Sequence, residues 1–216
     1  MYSNNLDLRY HQLTENIGYL IDKIPQDILN YIKVDIDSIQ ENFINEVKMN
    51  DRLAGEIEHE YILKSSNDKL KQYIKGACQC FENNSQYYKN NFNTDGKLSF
   101  SDFWVNFQKK HEYNPKHKHG GVYSFVIWYQ IPYYMENEQN ISNKTKRNDC
   151  TNGQFHFLYS PKGDEHVWHQ TLGVDKTKEG YIAVFPSELS HIVYPFYTSD
   201  EYRITISGNI VAEEYN

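Results

Sequence analysis

Residues 122–131, VYSFVIWYQI, decide how this chain reads. β-Branched and aromatic side chains fill the stretch, which is the composition of a strand, and Gly120-Gly121 marks a turn just before it. Working outward, shorter runs of the same kind recur at 103–108, 154–159, 166–172, 181–185, 191–197 and 202–211. Turn signals separate them: Asn114-Pro115, Pro161 with Gly163, residues 178–180, Pro186-Ser187 and residues 198–200. The 19 Tyr, 11 Phe and 3 Trp crowd after residue 100, where a β-rich core would use them. Seven short strands without an intervening helix predict a sandwich, barrel or jelly roll over residues 100–216.

The first 99 residues have a different period. Ile28, Leu29, Ile32, Ile36, Ile39, Phe43 and Val47 fall at helical spacing across 26–47, with Pro25 just ahead. Leu70, Tyr73, Ile74, Ala77, Cys78 and Phe81 repeat the pattern across 67–82. Residues 56–63 read as extended, and the Asn-rich 82–97 as a connecting loop. The expectation is a helical N-terminal support (1–99) packed on a β core (100–216), one compact unit overall. A polar insertion at 135–153 interrupts the β pattern as a candidate lid or plain loop.

Composition excludes several functions. The net charge of −7 and the absence of a basic run make the chain a poor ligand for nucleic acid or an anionic membrane. Mean hydropathy is −0.78, and the longest apolar stretch is too short to span a bilayer. The N-terminal residues lack the pattern of a secretory signal, so a cytoplasmic location is expected. Three Cys argue against a disulfide framework.

The chemistry concentrates in four residues. His117 and His119 lie two apart in NPKHKHGG (114–121), and on a strand that spacing puts both imidazoles on one face. His191 opens a later strand after the Pro186-Ser187 turn, and Arg203 follows it by twelve residues. Imidazoles suit iron, zinc, copper or nickel rather than calcium or magnesium. An Arg inside a β barrel needs an anion, and a dicarboxylate chelating the metal would offer one at its far end.

Three passages then resemble the Fe(II)- and 2-oxoglutarate-dependent oxygenases, most closely their phage-type branch. They are NPKHKH at 114–119, SFVIW at 124–128, and FPSELSHIVYPF at 185–196 followed by Arg203; the stretch DRLAGEIEHEY at 51–61 also resembles the phage-type branch, less specifically. The resemblance covers about the last half of the chain. It implies a double-stranded β-helix, Fe(II), and 2-oxoglutarate as a co-substrate that becomes succinate and CO2 while a substrate is hydroxylated. His117 and His191 then stand at the two His ligands. Arg203 stands at the position that binds the distal carboxylate of 2-oxoglutarate, with Thr205 and Tyr129 as possible assistants. Most members carry His-x-Asp or His-x-Glu where this chain has His117-Lys-His119. Three readings stay open. His119 replaces the carboxylate in an all-His set; His119 is the first ligand, with Gly121 leaving a position vacant; or a carboxylate arrives from elsewhere.

His111, His156, His166 and His169 read as ordinary sheet or surface residues, and Cys78 as a small buried hydrophobe. Beside the oxygenase, two other functions fit the residues: a three-His cupin-type dioxygenase independent of 2-oxoglutarate, and a non-catalytic β-sandwich with an incidental metal site. A small molecule or a peptide is the expected substrate, with no membrane partner.

Overall fold

The computed structural model describes residues 9–43, 46–63, 68–92, 96–142, 150–162 and 164–213. Eleven strands among them form two antiparallel sheets. The larger runs β1 (Arg9–Gln12), β2 (Gly18–Lys23), β9 (Tyr181–Pro186), β6 (Tyr123–Gln130), β11 (Arg203–Ala212), β4 (Leu98–Gln108) and β3 (His59–Ile62) from edge to edge. The smaller runs β5 (Asn114–His117), β10 (Ser190–Val193), β7 (Phe155–Tyr159) and β8 (Trp168–Leu172). The two sheets face each other as the jelly-roll core of a double-stranded β-helix. All seven expected strands are present.

Period-two alternation separates two cores along the same strands. In β6, Phe125 and Ile127 pack with Ile204, Ile206, Ile182 and Val184 beneath the helices. Val126 and Trp128 instead join Phe155, Phe157, Phe185 and Leu189 between the sheets. Helices α1 (Gln26–Glu41) and α2 (Asp68–Ser85) cover the first of these faces, burying Ile28, Ile32, Ile36 and Ile39 from one and Leu70, Tyr73, Ile74, Ala77, Cys78 and Phe81 from the other. Burying aliphatic side chains of this size stabilises by about 1.5–3 kcal/mol each. This is why the helices lie on the sheet rather than fray from it.

Several local expectations are corrected. Helix α1 stops at Glu41 rather than reaching residue 47, and Val47 is exposed. Asn42 leaves helical geometry there, and Phe43 stacks on His59 and Tyr61, with ring centroids 4.5 and 5.2 Å away. The N-terminal region supplies two unexpected strands, β1 and β2, beside the helices, while β3 falls within the expected extended stretch at 56–63. The expected loop at 82–97 contains a short helix, α3 (Tyr87–Phe92). The polar insertion begins as helix α4 (Met135–Ser142); its residues 143–149 lie outside those described. Glu138 anchors this helix. Its fully buried carboxylate accepts from the backbone N–H groups of Tyr197 and Thr198 and from the Thr198 hydroxyl. Among the described residues, no helix is long and apolar enough to cross a membrane.

Candidate metal centre and its buried arginine

Strand register brings the histidines together. β5 pairs antiparallel with β10, and His117 lies directly opposite His191. Their ring centroids are 4.1 Å apart. His119 sits two residues beyond β5, held by its backbone N–H donating to the Ser187 carbonyl at 2.9 Å. Its ring lies 5.0 Å from that of His117 and 5.1 Å from that of His191. Ligand atoms of all three fall within 4.8 Å of one another. The turn after His119 then carries the chain from the small sheet to the large one. It needs Gly121: φ is +115°, and a Cβ would stand 2.8 Å from the Ile210 carbonyl oxygen.

The rings are oriented as metal ligands require. His117 Nδ1 lies 2.7 Å from the Pro115 carbonyl oxygen, and His191 Nδ1 lies 3.0 Å from that of Leu189. A carbonyl only accepts, so each Nδ1 carries the hydrogen and each Nε2 keeps its lone pair. Burial also keeps the rings neutral. It pushes His119 down to about 4 and His117 below its ordinary value. His191 is held well below the usual range, mainly by burial and then by the two neighbouring imidazoles. Three neutral nitrogens converging in a buried site fit a borderline divalent metal such as Fe(II). Among the described residues no carboxylate joins the cluster, and His119 occupies the third position.

Arg203 is 2 % exposed and has no anionic partner among the described residues. All its contacts are to neutral acceptors. Gln108 Oε1 accepts from Nε at 3.0 Å and from Nη2 at 2.5 Å. The Tyr133 hydroxyl accepts from Nη1 at 2.7 Å, and the carbonyls of Gly153 and Tyr194 accept at 3.2 and 3.1 Å. The guanidinium is therefore hydrogen-bonded but not neutralised, and a carboxylate is the partner that suits it. Thr205 is on the same face of β11, lining the same cavity as the three histidines and Arg203. The residues present thus fit a dicarboxylate held between the metal ligands and the arginine.

Tyr129 is not in this site. Alternation turns it to the helix-covered face, where it packs beside Phe125 and Ile127 and feels the charges of Lys33 and Asp37. Trp128 takes the cavity side instead. The aromatic hydroxyl that reaches Arg203 belongs to Tyr133, beyond the end of β6. Gln108, Asn106, Asn114 and Glu60 also line the cavity without having been singled out in the sequence. Strand period gave a usable signal for Gln108 and Asn106, which are polar positions in an aromatic strand. Glu60 lies in the stretch 51–61, which resembles the phage-type branch without marking that residue, and nothing local marked Tyr133. Of the other histidines, His156 and His169 stack on each other at 4.9 Å, and His166 pairs with Asp164. None of these joins the cluster.

A family model described as "Putative 2OG-Fe(II) oxygenase" matches residues 102–209. Among solved structures, the chain is similar to a Pseudomonas putida prolyl-4-hydroxylase, at 13 % identity over 91 % of this chain and 94 % of that one, with a TM-score of 0.56. It is also similar to a viral collagen prolyl hydroxylase from Paramecium Bursaria Chlorella virus-1, solved as a 2OG complex. Identity there is 15 % over 90 % of this chain and 96 % of that one, with a TM-score of 0.52. At these identities the structural likeness speaks for the fold. Comparison with curated proteins finds no match.

Proposed function

This chain belongs to the 2OG-Fe(II) oxygenase family, and we propose on that premise how its residues divide the work. His117, His119 and His191 hold Fe(II). Arg203 takes the distal carboxylate of 2-oxoglutarate, with the hydroxyls of Tyr133 and Thr205 beside it. When bound, Fe(II) would let O2 oxidise both 2-oxoglutarate and the substrate, one oxygen atom ending in succinate as CO2 is lost and the other in the hydroxyl of the product. The product is a hydroxylated small molecule or peptide, formed in the cytoplasm.

The observation that carries this reading is the opposition of two features in one cavity: three lone-pair nitrogens at one point and an unneutralised buried guanidinium at another. The protein's own part is placement. Pro115 and Leu189 carbonyls fix the His117 and His191 rings, so metal capture costs little ordering. Gln108 holds two guanidinium N–H groups from one side and leaves the fork rigid. The apolar walls, Trp128, Phe155 and Phe185 among them, exclude water and strengthen each electrostatic contact. An all-His set lacks the negative charge of the usual carboxylate. It therefore binds Fe(II) more weakly and raises its potential.

Anaerobic thermal unfolding tests the reading. Mn(II) and 2-oxoglutarate together should raise the midpoint above either alone, because both bind only the folded state. Arg203→Ala should remove the 2-oxoglutarate increment and keep the metal increment. The all-His set also favours a second reading, a dioxygenase that does not use 2-oxoglutarate. A metal increment in wild type without any response to 2-oxoglutarate, and oxygen uptake without succinate, would select that one.

A further inference from the structure

The same cavity has a second polar end that neither the iron site nor the arginine uses. β3 pairs with β4 and β4 with β11, setting Glu60 opposite Asn106 and Asn106 opposite Thr205. The three form a row on the cavity face. Asn114 approaches from β5 on the other sheet. Glu60 is 1 % exposed and Asn106 is 5 % exposed. Both carboxylate oxygens of Glu60, and Oδ1 of Asn106 and of Asn114, are buried without a hydrogen-bond partner. Two of these atoms converge on one spot. A Cβ built on Gly55 would lie 2.2 Å from Asn114 Oδ1 and 2.9 Å from Glu60 Oε1.

Every orphaned atom here is an acceptor. Leaving such groups buried and unpaired is unfavourable, most of all for a carboxylate. Arg203 does not reach these acceptors: its hydrogen bonds within the protein go to Gln108, Tyr133, Gly153 and Tyr194. Burial, with Glu112 adding to it, pushes the Glu60 carboxyl up to about 7. We infer that this end of the cavity binds a primary ammonium group of the substrate, its three N–H donors shared among Glu60, Asn106 and Asn114. The inference rests on the oxygenase reading for the word substrate, but the ammonium site itself depends only on these side chains. A substrate of this class is an alkylamine or a chain with a lysine-like end, its reacting carbon reaching toward the histidines.

n-Butylammonium is the probe, with n-butanol and butyrate as neutral and anionic controls of equal chain length. Each is titrated by calorimetry into the full chain, both metal-free and loaded with Mn(II) and 2-oxoglutarate. Butylammonium should bind in the metal-free protein, and Glu60→Gln should weaken it by about tenfold or more, the loss expected for a charge-assisted hydrogen bond. Asn106→Ala, a second variant checked for folding by circular dichroism, should weaken it less. Absence of butylammonium binding, equal binding of butanol or butyrate, or undiminished binding by both variants overturns the site. If butylammonium binds through Glu60 while 2-oxoglutarate never stabilises the protein, the functional reading falls and the ammonium site stands. If 2-oxoglutarate stabilises and butylammonium does not bind, the reverse holds.

Discussion

The two faces of the seven-stranded sheet use the same strands in opposite ways. On the helix-covered face, β11 presents Ile204, Ile206 and Ile210 to α1 and α2. Two of the hydroxyls buried there reach carboxylates, Tyr73 donating to Asp22 at 2.5 Å and Tyr123 to Glu82 at 2.8 Å, while that of Tyr88 has no partner. On the cavity face the intervening residues of β11 are Arg203, Thr205 and Ser207. There a guanidinium lacks an anion and a carboxylate lacks any donor. One face spends burial on stability. The other holds uncompensated polar groups that the first face stabilises, and these are where ligands have something to satisfy.

If the comparison is right, a substitution should act on one face or the other. The largest effect belongs to the cavity. His191→Ala removes the central ligand, and should abolish both the Mn(II)-dependent rise in midpoint and succinate release. Next comes Ile206→Ala on the opposite face. It should cost about 2–5 kcal/mol of stability in urea titration, with affinity for 2-oxoglutarate unchanged. A change in that affinity would break the separation of faces.

Acidification gives a smaller, graded effect. His59, His117, His119, His156 and His191 all have lowered values in the folded state, His119 and His156 to about 4. Below the ordinary value of 6.5 the unfolded chain therefore binds more protons than the folded one. Stability present above about pH 6.5 should fall as pH drops toward 4. Glu60, raised to about 7, works in the opposite direction between 4.5 and 7, but as one group against five histidines. Thermal midpoints of the metal-free protein across this range check the sign. Rising stability on acidification would contradict it.

The finest test sets two tyrosines against each other. Tyr133→Phe removes the hydroxyl that Arg203 touches and should weaken 2-oxoglutarate about threefold to tenfold, the scale of one hydrogen bond. Tyr129→Phe lies on the other face and should leave that affinity unchanged. Calorimetric titration of 2-oxoglutarate into the Mn(II)-loaded variants distinguishes them.

That pair also marks where sequence reading ran out. A strand as uniformly apolar and aromatic as 122–131 shows its period but not which parity faces the cavity. Only the seating of α1 and α2 makes Trp128 inward and Tyr129 outward. β1 and β2 were missed because RYHQ and GYLIDK carry little apolar alternation of their own. Pairing of β2 with β9 accounts for their place at the sheet edge.

By itself, the sequence determined the β core and the two amphipathic helices, and it singled out His117, His119, His191 and Arg203 as candidates with the place of His119 left open. Each depends on short-range spacing, period two or period 3.6, or on a turn next to a strand. Tertiary structure alone decided that His119 joins the other two rings, that Tyr133 rather than Tyr129 meets Arg203, and that Glu60, Asn106 and Asn114 share one cavity. Most of these partners are tens of positions apart, and strand register together with the closing of one sheet over the other brings them within reach.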